Sequence, residues 1–77
     1  MEPEIAALDR LQTAYQQAVE RWIAAIRKEA AMASVTHTLA EVDAWEQAHF
    51  DEDTAREAAL SAKDEYENAL RQKFFNF

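Results

Sequence analysis

The stretch ASVTHTLAE, residues 33–41, decides the fold of this chain. The long segments on either side are dominated by Ala, Glu, Gln, Leu, Arg and Lys, the residues that lose least on entering a helix. Within the stretch, SVTHT at 34–38 gathers β-branched and hydroxyl residues in one place and reads as an interhelical connection. TLAE at 38–41 then offers Thr38 as an N-cap with Glu41 three residues on, the reciprocal spacing of a capping box. One helix ends before this point and another starts after it.

Upstream, the first helix is expected from Pro3, whose fixed φ and missing N–H suit the first helical position, to about residue 33. Its apolar residues Leu8, Leu11, Tyr15, Val19, Trp22 and Ile26, continued by Ala30 and Ala33, recur in steps of three and four. That stripe repeats at eleven residues, which predicts straight or slightly right-handed packing. Arg27 and Lys28 complement the negative end of the helix dipole.

Downstream, Ala48, Ala55, Ala62 and Ala69 recur every seven residues. They form a seam of small side chains that lets helices approach closely, although the helix propensity of alanine gives a second reason for them to be there. HFDEDTARE, residues 49–57, disturbs this segment: Asp51, Glu52 and Asp53 stand together, and Thr54 and Glu57 offer another capping box. The phase of Leu39, Val42 and Trp45 also fails to run cleanly into that of Ala55, Ala59, Ala62 and Tyr66. Against a break stand the absence of Gly or Pro and the i,i+4 pairs Glu52–Arg56 and Glu67–Arg71. The expected architecture is all-α: a single helical domain over 1–77, built as an antiparallel hairpin whose long second helix is kinked near 51–53. A three-helix bundle is the alternative.

A chain with no Gly and one Pro has little with which to build tight hairpins, which disfavours a β-fold. It has no Cys, so disulfides cannot compensate for its small core. MEPEIAALDR lacks the basic and apolar regions of a signal peptide, and no apolar run reaches the ~20 residues of a membrane span. These readings lead to the expectation of a cytoplasmic protein. Two helices alone bury one stripe each, so a second copy is expected to cover what remains, giving a homodimeric four-helix bundle. Its interface would draw Leu8, Leu11, Tyr15, Trp22 and Ile26 from the first helix. The second would contribute Trp45, Tyr66, Leu70 and the terminal Phe74, Phe75 and Phe77.

The formal net charge is −7, and residues 41–57 hold seven acids against Arg56 alone. This balance argues against direct nucleic-acid binding and against a basic membrane-surface helix. An acidic face of Glu41, Asp43, Asp51, Glu52, Asp53 and Glu57 is instead expected to meet a protein with a basic or apolar surface.

One constellation carries metal chemistry. In EQAH, Glu46 and His49 lie three residues apart and share a helix face. The spacing resembles the Glu-x-x-His motif of ferritin-like di-iron carboxylate proteins and of designed hairpins that dimerise around two metals. The resemblance covers four residues. It implies that Glu46 chelates, His49 ligates and a facing helix supplies another glutamate. Here the pattern departs, because residues 23 to 26, at the expected level, are apolar or Ala, and Glu20 and Glu29 lie about a turn away. His37 reads as a turn residue.

No cysteine nucleophile or glycine-rich phosphate loop is present, and no serine has an evident base. The chain is therefore expected to need no cofactor and to act as a non-catalytic interaction module of the adaptor or inhibitor type. The alternative is a dimeric metal-binding bundle.

Overall fold

A computed structural model describes residues 4–33 and 38–75. Expectations that fall on Pro3, His37 and Phe77 lie outside the described residues. Among those described there are two helices and no strands: α1 spans Ile5–Ala33 and α2 spans Leu39–Phe74. They pack against each other as an antiparallel hairpin with principal extents of 55 × 17 × 13 Å. The 36 residues of α2, at about 1.5 Å each, account for the long dimension.

The ends form for local reasons. The Glu4 carbonyl accepts the Leu8 N–H at 3.1 Å and opens α1. Thr38, with extended backbone, accepts the Glu41 N–H on its Oγ1 at 3.2 Å, as the capping spacing requires. At the far end the Phe75 N–H donates to the Arg71 carbonyl at 2.8 Å, and Arg71 and Lys73 stand in the last turn, where the dipole favours cations.

Residues 50–54 are helical, and α2 runs without interruption through Asp51, Glu52 and Asp53. The three-helix alternative is thereby overturned. The apparent break of phase disappears once Glu52 is counted as a packed position. The covered residues along the packing face of α2 are Trp45, Ala48, Glu52, Ala55, Ala59, Ala62, Tyr66, Ala69 and Lys73, in alternating steps of three and four, with Asp53, Glu67 and Leu70 half-buried beside it. Glu52 is the member that a search for apolar residues skips.

The same spacing governs α1, and here the expected stripe needs correction. The covered positions are Leu8, Leu11, Tyr15, Ala18, Trp22, Ala25, Glu29 and Met32. Ala18 is 5% exposed whereas Ile26 is 43% exposed, so the seam leaves the expected path after Tyr15. A strict seven-residue repeat is the spacing of left-handed packing, not of the straight or right-handed packing expected from an eleven-residue stripe.

With heptad letters, the a positions are Leu8, Tyr15, Trp22 and Glu29 in α1, and Trp45, Glu52, Ala59, Tyr66 and Lys73 in α2. The d positions are Leu11, Ala18, Ala25 and Met32, facing Ala48, Ala55, Ala62 and Ala69. Printed on the seam, then, is a small-residue d side and a bulky, partly polar a side. The four alanines spaced by seven all lie on it, with Ala48 buried to 3% exposure and Ala69 to 8%. Tyr15 and Tyr66 meet across it with ring centroids 6.4 Å apart.

Candidate functional site

Three groups of residues have chemistry to offer: a polar layer within the seam, an apolar flank beside it, and an acidic outer strip.

The polar layer is built from a and e positions of both helices in the half near the connection. Trp22 donates its indole Nε1–H to Glu52 Oε1 at 2.7 Å, a half-buried bond across the seam. His49 Nδ1 lies 3.3 Å from Glu29 Oε1, and His49 Nε2 lies 3.7 Å from Asp53 Oδ2. Because Glu52 turns inward, Arg56 pairs with Asp53 at 3.1 Å instead of making the expected i,i+4 contact. The expected Glu67–Arg71 pair does form, at 3.4 Å. Trp45, one heptad before Glu52, is the counter-case: its buried Nε1–H has no partner.

Glu29, His49 and Glu52 each present a potential metal-ligating atom, all within 4.8 Å of one another. Glu46 is exposed on the outer side of α2 and is not part of this group. The structure thus brings His49 together with an acid of α1, which spacing within α2 could not reveal. The level of residues 23 to 26 was the wrong place to look, since the register set by Trp22–Glu52 and Tyr15–Tyr66 puts Glu29 level with His49. The available signal was the heptad register: Glu29 follows Trp22 by seven residues, and Glu52 follows Trp45 by seven.

The apolar flank lies at the e and b positions of α1, next to the a row. Val19 is half-buried there, while Ile23 and Ile26 are exposed. In antiparallel packing e faces e, and the e positions of α2 are Val42, His49, Arg56, Lys63 and Leu70, so at the level of Val19, Ile23 and Ile26 the apolar flank belongs to α1 while Val42 and Leu70 stand toward the two ends of the hairpin. Val42 is exposed and Leu70 half-buried. Of the residues expected at an interface between copies, Leu8, Leu11, Tyr15, Trp22, Trp45 and Tyr66 are covered by the hairpin itself, wholly or in part. Ile26, Phe74 and Phe75 are exposed, the two phenylalanines at 65% and 68%. The pairs Trp22–Glu52 and Tyr15–Tyr66 set a register that puts Ile5 level with residues 69 to 76, so the start of α1 and the last turn of α2 lie at the same end of the hairpin.

The acidic segment is not one face. Asp51 lies at a g position on the d side, where it borders a shallow hollow with Ala18, Arg21, Thr54, Ala55 and Ala58, and Glu52 points into the seam. Asp43, Glu46, Asp53 and Glu57 do share an outer strip, and at the same alternating spacing the strip takes in Phe50, Leu60, Asp64 and Glu67. It therefore carries six acids with two exposed apolar side chains set among them. Glu41 is exposed at the start of α2.

Among the described residues no helix is long and apolar enough to cross a membrane. Compared with protein-family models, known proteins and solved structures, the chain matches none of them.

Proposed function

We propose that this protein is a small acidic, non-catalytic interaction module that pairs with a second copy through the apolar flank of its hairpin and offers the outer strip of α2 to a basic protein. The carrying observation is surface area. A compact monomer of 8.8 kDa exposes roughly 4,800 Å² by the usual size scaling. The hairpin exposes 5800 Å². The excess of roughly 1,000 Å² is about what each partner buries in a stable interface of standard size.

The radius of gyration supports the same reading, being 17.1 Å against about 11.5 Å for a compact chain of this length. The hairpin's own buried core consists of Leu8 and the alanines Ala18, Ala48, Ala59 and Ala69. Such a core contributes little, since alanine removes so little apolar area from water. Laying two copies together over Val19, Ile23 and Ile26 widens the buried stripe of α1 beyond its a and d positions, toward the width used by helices in bundles.

The outer strip stays free in such a pair. Its carboxylates would steer a basic surface by long-range attraction, while Phe50 and Leu60 supply the desolvated contacts that hold it. Replacing Ile23 and Ile26 together by Lys tests the self-association. Sedimentation equilibrium of the variant should give the mass of one chain where the unmodified protein gives two. Equal masses for the two proteins would remove the flank as the contact.

A further inference from the structure

Among the covered seam positions the only acids are Glu29 and Glu52, and they come to the same place. Both carboxylates are half-buried at seam positions that elsewhere are mostly apolar. His49 joins them from the flank, so that one nitrogen and two carboxylates from two helices converge with their donor atoms within 4.8 Å. From this juxtaposition we infer that Glu29, His49 and Glu52 bind one divalent first-row transition cation, with Zn²⁺ the best match to the donor set.

The chemistry selects the ion. Calcium and magnesium favour all-oxygen shells of six or more ligands, whereas imidazole with carboxylates suits zinc in a four-coordinate site completed by water. Zinc bonds of about 2.0–2.1 Å at tetrahedral angles separate ligand atoms by about 3.3 Å.

One further residue already holds a ligand in place. The Trp22 N–H fixes Glu52 through Oε1 at 2.7 Å, leaving its second oxygen for the ion. Asp53 Oδ2 stands 3.7 Å from His49 Nε2, too far for a hydrogen bond but within range of charge attraction, while Nδ1 faces Glu29. Every donor comes from one chain, and His49 stands at an e position beside the flank proposed to meet a second copy.

The test is calorimetric titration of the metal-stripped full chain with Zn²⁺, repeated with Co²⁺ while Trp emission is followed in a Trp45→Phe background. We expect one ion per chain and quenching of Trp22 by Co²⁺. Glu29→Gln, Glu52→Gln and His49→Ala should each weaken binding at least about tenfold, and Glu46→Gln should leave it unchanged. Glutamine is a good helix former, and circular dichroism verifies that the variants remain helical. Absence of saturable uptake by the unmodified chain would overturn the inference. So would uptake that survives the three substitutions or that Glu46→Gln weakens equally.

Discussion

The two halves of this hairpin share one geometry and differ in chemistry. Toward the termini the seam is made of Leu8, Leu11, Tyr15 and Ala18 against Ala55, Ala59, Ala62, Tyr66, Ala69 and Lys73, with no acid among them. Toward the connection the same seven-residue spacing brings Trp22, Ala25, Glu29 and Met32 against Trp45, Ala48 and Glu52, flanked by His49. The spacing of covered positions sets which faces meet, and is indifferent to what stands there. Side-chain identity then determines whether a layer only packs or also holds charge. The terminal half packs mostly small and aromatic side chains, and the half near the connection is the one that places carboxylates in the seam, where the metal site is proposed.

The most disruptive way to break this contrast is to alter the closest packing in the terminal half. Ala59 is 2% exposed, so Ala59→Leu has no room for three further carbons and should destabilise the protein by about 1–3 kcal/mol. Thermal or urea unfolding at a fixed protein concentration measures it, since any self-association makes apparent stability depend on concentration.

In the connection half the two tryptophans make an internal control. Trp22→Phe removes the donor to Glu52 and leaves a half-buried carboxylate without its bond, for a loss of about 1.5 kcal/mol. Trp45→Phe removes an N–H that has no partner, so it loses indole area but also relieves an unsatisfied donor. It should cost clearly less than Trp22→Phe in the same denaturation experiment. Equal losses would mean that the Trp22–Glu52 bond contributes nothing beyond the packing of the ring.

Thr38→Ala touches neither half directly. It removes the cap on the Glu41 N–H and should cost about 1 kcal/mol, with the loss of hydrogen-exchange protection concentrated in the first turn of α2. The smallest effect is expected outside the seam. Glu67 pairs with Lys63 at 3.8 Å and Arg71 at 3.4 Å on an exposed face, and Glu67→Gln should change stability by no more than about 0.5 kcal/mol.

Much of the fold was legible in the sequence. Helix-favouring composition without glycine, the Thr38 cap and the seven-residue alanines together specify two long helices and identify which face of α2 packs. The face of α1 was misread because Val19 and Ile26 are large and apolar, whereas the residues that pack beside them, Ala18 and Ala25, are small. Alanine is uninformative by itself, being equally at home on a helix surface and in a tight seam. The polar layer was less legible for a related reason. Glu29 and Glu52 read as solvated acids until the register is known, and register is a property of two helices together. His49 was identified as a ligand candidate from Glu46, its neighbour in sequence, while the acids it approaches lie twenty residues back and three residues on.

The outer strip of α2 follows the same logic. Acids clustered over 41–57 in the sequence distribute around the helix, and only those at the outward heptad positions, with Phe50 and Leu60 between them, form a continuous surface. Reading charge by face instead of by segment changes which residues would contact a basic partner: Glu46, Asp64 and Glu67 enter, and Asp51 and Glu52 leave.

Native mass spectrometry of the untagged protein tests the central claim most directly, because it reads the number of chains in the assembly without reference to any substitution. The account predicts a mass of two chains as the dominant species, in keeping with an excess surface of roughly 1,000 Å² per hairpin. A single-chain mass throughout the accessible concentration range would contradict it and leave the exposed flank of Ile23 and Ile26 without its proposed occupant.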